Sequence, residues 1–281
     1  MGIDYRQSWR RRLAILTLCA SALAMALPQG IGFLKTVSEP QTPAADPDVQ
    51  ILIVHTSPQT GKKTTVYRRV GSSAVIYFSG MTIDADGAPN AYHPTERRGL
   101  DSLNHAGANG RWWALVLDEH KRPVVQKSGL FKGFYVSQTW LSREDDLYPE
   151  TDPRYWVDAR TVPYIAVPKS VWKRAGIEKG DLAYVVNEIT GRASAAIVAD
   201  WGTEETLGEG SISLGDALGF ESSSPRTGGQ DSGIDCIVFP RTAANPRWPR
   251  DVAEMAVKAQ QLFQEWGGEA ALDQIRRKTS K

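Results

Sequence analysis

The sequence predicts a mainly β fold with a six-stranded barrel at its core, short helices between the strands and a helical extension at the C-terminus. Two observations lead to this prediction. Short runs that alternate apolar and polar residues, separated by glycine-containing turns, recur between residues 51 and 239. The strongest helical periodicity comes only near the end of the chain, over Arg250 to Trp266.

Residues 1–36 are predicted to be a signal peptide or an N-terminal membrane segment. Several arginines precede an apolar run from Leu13 to Leu23, and small-x-small cleavage sites follow around Ala24. Residues 37–49 are rich in proline, alanine, aspartate and threonine, and we predict a linker there. We therefore expect a secreted or periplasmic protein, or a membrane-anchored one if the segment stays uncleaved.

The first predicted strands form a hairpin that is followed by an acidic loop. Ile51 to His55 and Thr64 to Arg69 are the two strands, joined by a turn over Pro58 to Lys62. A third strand, Val75 to Phe78, leads towards the loop Asp84-Ala85-Asp86-Gly87. The β pattern then continues in three short runs, over residues 112–117, 124–126 and 133–139.

The second half of the chain has a rhythm of strand, short helix, hairpin, short helix and strand. The segments are Tyr164–Val167, Pro168–Lys173, the hairpin Leu182–Asn187 with Arg192–Ala199, Ile212–Leu218 and Asp235–Phe239. A double-psi β-barrel is wound in this order, so we predict a double-psi-like barrel.

The C-terminal residues, 245–281, are predicted to form a helical extension. One face of the first helix carries apolar residues at three- and four-residue spacing, and Gly267-Gly268 ends it; these residues are Val252, Met255, Ala259, Leu262, Phe263 and Trp266. A second helix is expected over Glu269 to Arg277. We expect the extension to pack on the outer surface of the barrel; the alternative is a partner-binding helix. The domain between linker and extension is residues 50–244.

Composition narrows the classes of function. The net charge of the 281 residues is +1, which gives no reason to expect nucleic-acid binding, or a stable membrane partner beyond the N-terminal segment. Without that segment one cysteine remains, Cys236, in an apolar strand, where we expect a core thiol. No intramolecular disulfide is then possible. We expect a monomer without a cofactor.

Two carboxylates near the middle of the second half suggest acid–base chemistry. Asp200 ends a predicted strand, with Trp201 beside it, and Glu209 lies between glycines on a predicted turn. Such a pair can serve glycoside hydrolysis, in which one acid protonates the leaving oxygen and another group activates water or attacks. Partial burial would make Glu209 the proton donor and leave Asp200 as the base. The alternative is a solvated aspartate and a turn glutamate.

A series of short motifs runs in a fixed order between Val70 and Pro240. They are Gly80–Pro94, Gly99–Leu103, Trp112-Trp113, Thr151–Pro153, Val157-Asp158, Val162–Ile165, Gly180–Ala183, Ala199-Asp200, Gly208–Ile212, Ala217–Gly219, Pro225–Gly229 and Val238–Pro240. In this order they resemble fungal-type chitosanases, glycoside hydrolase family 75. The resemblance implies endo-hydrolysis of chitosan with inversion, by carboxylates matching Asp200 and Glu209. Their spacing alone fits either retention or inversion.

We assign five residues to substrate binding: Asp84, Asp86, Asn90, Tyr92 and Trp201. Asp84 and Asp86 can accept charge-assisted hydrogen bonds from a substrate amine, and we expect only one of them to face the cleft. Asn90 and Tyr92 lie in the same resembling segment. Trp201 adjoins Asp200 and offers a face for sugar stacking. Two aspartates without a third oxygen donor or a closing glutamate do not make a calcium loop, so we expect no metal.

The resulting hypothesis is an endo-acting glycoside hydrolase whose partner is its polysaccharide substrate, chitosan, a polymer of β-1,4-linked glucosamine. Two alternatives stay open. The enzyme could act on another amino-sugar polymer, such as peptidoglycan, since fold does not fix substrate. The domain could also be a carbohydrate-binding barrel without catalysis, but the presence of both Asp200 and Glu209 speaks against this.

Overall fold

The computed structural model of the protein describes residues 49–279. The predicted signal or membrane segment, residues 1–36, lies outside this range, as does the predicted linker apart from Val49. In the described range, no helix combines the length and the apolar character needed to cross a membrane.

Most of the strands in this range belong to one mixed sheet. The strands are β1 (Val49–Thr56), β2 (Lys63–Arg69), β3 (Val75–Asp84), β4 (Gly107–Ala108), β5 (Arg111–Trp112), β6 (Tyr164–Ala166), β7 (Leu182–Asn187), β8 (Arg192–Asp200), β9 (Glu209–Ser211) and β10 (Gln230–Phe239). Strands β4 and β5 pair only with each other, and the other eight form the large sheet.

Six strands of the large sheet close into a barrel in the order β3-β10-β7-β8-β6-β9, with β9 returning to pair with β3. Strands β1 and β2 extend the sheet beyond β3 as an antiparallel hairpin. Two barrel pairs are parallel, β3 with β9 and β6 with β8, and the remaining pairs are antiparallel. The predicted mainly β fold with a six-stranded, double-psi-like barrel is confirmed.

Both faces of several barrel strands are buried. Along β10, Cys236 and Val238 point into the barrel and join the core with Val185 and Val198. Ile237 alternates with them and joins an outer cluster. Alternation of side chains across a strand gives these two sets their opposite directions. The predicted core position of Cys236 is confirmed, and burial raises the pKa of its thiol to about 12.

The α-helices of the described range are α1 (Leu103–Ala106), α2 (Lys169–Ala175), α3 (Ile212–Leu218), α4 (Val252–Trp266) and α5 (Gly268–Thr279). The two C-terminal helices, α4 and α5, cover the outer cluster. The side chain of Asp251 caps α4 by accepting from the Glu254 amide, so the helix begins two residues after the predicted Arg250. Phe263 of α4 and Leu272 of α5 are buried against the outer face of the sheet. Packing of the extension on the barrel is confirmed.

The segment from residue 111 to residue 139 differs from the prediction. Three runs of strand were expected, but beyond β5 the segment pairs through isolated bridges, such as Leu115 with Ser137 and Val125 with Tyr135. Backbone hydrogen bonds, including Val116 N to Val136 O at 3.0 Å, hold it as an irregular meander. The sequence pattern therefore overstated the regularity of the strand pairing in this segment.

Candidate active site

Asp200 and Glu209 lie on either side of one residue of the barrel. Strand β6 runs between β8 and β9, and Ala166 of β6 pairs with Asp200 on one flank and with Glu209 on the other. Because neighbouring strands are about 4.8 Å apart, the two Cα atoms are separated by roughly 10 Å. Paired residues project to the same side of a sheet, so the two side chains share one side.

Glu209 is the first residue of β9, a three-residue strand, and not part of the expected glycine turn. Gly208 directly precedes this strand and has a φ of +113°. A Cβ atom on Gly208 would come within 2.2 Å of the carbonyl oxygen of Gly80 on β3. Glycine is therefore required here both by the backbone angle and by the close approach of β3.

Asp84 and Asp86 are brought to the same place as Asp200. The backbone amide of Asp86 donates to Oδ1 of Asp84 at 2.8 Å, which folds the loop back over the end of β3. One carboxylate oxygen from each of the three aspartates lies within 4.8 Å of the others. Of the pair, Asp86 lines the pocket described below and Asp84 does not, and the expectation that only one of them faces the cleft stays a prediction.

These three aspartates and Glu209, named here the acid cluster, hold protons more tightly than ordinary carboxylates. Burial, and then the charges of Asp84 and Asp101, raise the pKa of Glu209 to about 8. Burial and the charge of Asp84 also raise the pKa of Asp200 well above its usual range. The pKa of Asp84 rises to about 6, chiefly through burial. The cluster is therefore only partly ionised near neutral pH.

Hydrogen bonding distinguishes Asp200 from Glu209. Oδ1 of Asp200 accepts from the backbone amides of Trp201 at 2.7 Å and Trp140 at 3.1 Å, and both bonds favour its ionised form. For Glu209, each of the effects of burial and neighbouring charge raises the pKa. The two amide bonds therefore offset part of the rise in the pKa of Asp200, whereas no hydrogen bond offsets the rise for Glu209.

The hydroxyl of Tyr92 contacts the acid cluster through Asp86. Its side chain is buried, and its hydroxyl donates to Oδ1 of Asp86 at 2.7 Å and lies 3.4 Å from Oδ2 of Asp101. Oδ1 of Asp101 is in turn 2.9 Å from Nδ1 of the half-exposed His105, and this contact raises the pKa of His105. Asp101 lies in the motif Gly99–Leu103 of the family resemblance, but the sequence analysis assigned no role at the site to Asp101 or His105.

Asn90, which the sequence analysis assigned to substrate binding, lies in the loop that follows Asp86. Its backbone oxygen accepts from the amide of Leu100 at 3.1 Å, which ties the loop to the next segment. Its side-chain oxygen is buried and has no hydrogen-bond partner among residues 49–279. The role assigned to Asn90 in substrate binding stays a prediction.

A pocket of about 180 Å³ opens beside the acid cluster. It is lined by Asp86, Asp200, Gln138, Thr139 and four tryptophans, Trp113, Trp140, Trp156 and Trp201. We call it the tryptophan pocket. The side chain of Trp201, singled out from the sequence, is half-exposed there, whereas the other three tryptophans converge from segments distant in the chain. Within the described part of the protein, its lining contains no lysine, arginine or histidine.

The three aspartates are also the residues that could hold a cation. Each presents an oxygen to a common point, and hard cations such as Ca²⁺ take carboxylate oxygens as ligands. One of these groups, Asp200, already accepts two backbone hydrogen bonds through Oδ1. The expectation of a site without metal stays a prediction.

Comparison with known proteins does not assign this chain to a family. No family model matches the chain, and no curated protein matches it either. The likeness to family 75 chitosanases therefore stays a hypothesis.

Proposed function

We propose that the protein is an endo-acting glycoside hydrolase that cleaves the β-1,4-linked glucosamine polymer chitosan by an inverting acid/base mechanism. The observation that carries this proposal is the placement of Asp200 and Glu209 on the two flanks of Ala166, beside the tryptophan pocket. Family 75 membership and export from the cytoplasm are part of the same proposal.

In the proposed mechanism, Glu209 donates its proton to the glycosidic oxygen. Asp200, oriented by the amides of Trp140 and Trp201, takes a proton from the attacking water. Inverting enzymes hold their carboxyls about 6.5–9.5 Å apart to admit this water, while retaining enzymes hold them about 5–5.5 Å apart. Strands separated by a third strand favour the wider spacing and hence inversion.

The charge of the site favours a cationic substrate. The acid cluster supplies four carboxylates, and the tryptophan pocket beside it has no basic side chain in its lining. A glucosamine ammonium group would pair with these carboxylates, while the tryptophan rings cover the apolar face of the sugar. Peptidoglycan carries carboxylates of its own and fits this charge less well, so it is the second substrate to test.

The acid pair is tested by Asp200→Asn and Glu209→Gln, which remove an ionisable group and keep the shape. Each is expected to lower turnover of chitosan about 10²-fold or more, because general acid–base assistance is worth about that. Asp216→Asn on α3 changes an exposed carboxylate in the same way and should leave turnover unchanged. Reducing ends released from chitosan, chitin and peptidoglycan provide the measurement.

The stereochemistry is tested by following the anomer that forms first by proton NMR. Inversion of a β-linkage gives the α-anomer, and a first product in the β form would exclude the inverting mechanism. Near-full turnover in Asp200→Asn or Glu209→Gln would exclude the acid pair itself.

A further inference from the structure

We propose that a second pocket, built around His55 on the opposite side of Glu209 from the tryptophans, binds another sugar unit of the same polysaccharide chain. This inference rests on the proposed function and extends its substrate site. It gives the cleft binding positions on both sides of the bond to be cleaved, which an endo-acting enzyme requires.

The order of paired residues across the sheet shows where this pocket lies relative to Asp200 and Glu209. Asp200 pairs with Ala166, Ala166 pairs with Glu209, and Glu209 pairs with Thr82 of β3. Asp200 lines the tryptophan pocket at one end of this row, and Thr82 lines the second pocket at the other end. Along this row, Glu209 therefore lies between the residues that line the two pockets.

The second pocket, named the His55 pocket, has a volume of about 180 Å³, the same as the tryptophan pocket. Its walls come from the β1–β2 hairpin, β3, the segment before β9 and the start of β10. Hydroxyl, amide and imidazole groups dominate the lining, among them His55, Ser57, Thr64, Thr82, Thr206 and Gln230. Such groups recognise the hydroxyls of a sugar by hydrogen bonds, without a stacking face.

His55 is the observation that points to a ligand. Its side chain is only 4% exposed, yet its Nε2 has no hydrogen-bond partner in the described range. The nearby carboxylate oxygen of Glu204 is 4.0 Å away, beyond hydrogen-bond distance. A buried polar atom without a partner is costly, and a sugar hydroxyl in the pocket would satisfy it as donor or acceptor, according to the tautomer.

The charge of the His55 pocket suits an amino sugar in particular. Glu205 and Asp231 bring two carboxylates to its lining, against one lysine, Lys62. The Lys62 ammonium lies 3.4 Å from the backbone oxygen of Asp231 and donates to it. The occupant we commit to is therefore a glucosamine unit of the chain whose neighbour lies over the acid cluster.

The test compares the full-length protein with His55→Ala, His55→Gln and His120→Ala on a defined glucosamine hexamer. His120 is an exposed histidine that does not line either pocket, so it is the matched control. Loss of one sugar-binding group should shift the sizes of the first products and raise KM about five- to tenfold in His55→Ala. His55→Gln should recover part of the loss, and His120→Ala should behave like the wild type.

A melting curve shows whether His55→Ala is folded. If it is not, Thr206→Val, which alters another part of the pocket lining, takes its place in the test. An active enzyme in which His55→Ala, or Thr206→Val in its place, leaves products and KM unchanged would overturn the His55 pocket alone. A wild-type protein that neither binds nor cleaves the hexamer would overturn the proposed function, and the pocket with it.

Discussion

Asp84 is the residue with the widest electrostatic influence in the site. Its charge contributes to raising the pKa of Asp86, Asp200 and Glu209, and its own pKa is about 6. The two proposed catalytic groups therefore depend on a third carboxylate that need not react itself. An ammonium group of the substrate close to Asp84 would offset this charge and change the proton affinity of both.

A change of Asp84 should consequently move the pH profile. The wild-type profile of kcat/KM is expected to be a bell whose alkaline limb lies near pH 8, where Glu209 loses its proton. Asp84→Asn removes a charge that raises the pKa of both Glu209 and Asp200. Lower pKa values for the acid and for the base move both limbs, and hence the whole bell, to lower pH.

The measurement is kcat/KM on a glucosamine oligomer across the pH range for the wild type, Asp84→Asn and the control Asp216→Asn. A lower rate with both limbs unmoved would contradict the electrostatic role. It would instead mean that Asp84 acts only by binding the substrate.

At the scale of elements, the backbone geometry is most tightly constrained at β9, one of the two shortest barrel strands. Strand β9 has three residues, yet it closes the barrel between β3 and β6 and carries Glu209. Gly208 before it has a positive φ, and the Gly80 carbonyl lies where a Cβ would stand. The position of the proposed acid thus depends on a close approach between two backbones.

Gly208→Ala should therefore displace β9 and reduce both activity and stability. Gly191→Ala is the matched control, since Gly191 has a φ of +68° in the β7–β8 turn but nothing within 4 Å of a Cβ. The control should lose about 1–2 kcal/mol of unfolding free energy from the left-handed backbone alone and keep its activity. Gly208→Ala should lose clearly more and lower kcat/KM, as measured by urea denaturation and chitosan hydrolysis. Equal losses in the two variants would contradict this account.

The local sequence pattern predicted the helices and strands well where the alternation, the capping residues or the helical spacing were clear. The hairpin around Gly191, the helix Ile212–Leu218 and the C-terminal helix follow from alternation, capping and helical spacing. The acid pair was predicted as a pair because both members lie in one short segment. The pairing of both members with Ala166 was not predicted, because strand order in a mixed barrel is set by packing between distant segments.

The same limit explains why several residues were not assigned to the site from the sequence. Trp113 and Trp156 reach the tryptophan pocket from separate loops, and Asp101 reaches Tyr92 from another. His55 belongs to a hairpin outside the region of family resemblance. Convergence of this kind leaves no periodic mark on the sequence, whereas a single residue such as Trp201 could be identified by its neighbour Asp200.

At the scale of the whole molecule, the C-terminal extension and the barrel form one packed unit. Helix α4 packs on β7 and β8, and the ring of Phe263 stacks on Tyr184 with 4.3 Å between centroids. Arg276 of α5 forms an ion pair with the buried Asp235 of β10. The inner face of these strands forms the barrel core, and the two helices bury their outer face. The extension is therefore part of the same hydrophobic packing as the barrel.

Phe263→Ala should consequently lower the free energy of unfolding by about 3–5 kcal/mol, because a buried aromatic ring is replaced by a cavity. Val257→Ala on the same helix is the matched control, since Val257 is 70% exposed and its truncation should change stability by no more than about 0.5 kcal/mol. The acid cluster is built from β3, β8, β9 and the loop at Asp86, not from α4, so Phe263→Ala should keep chitosan hydrolysis at low temperature while its melting temperature falls. Calorimetry and activity at two temperatures measure both effects. Equal melting temperatures for the two variants would mean that the extension leaves the barrel in solution, and the partner-binding alternative would then be the better explanation of α4.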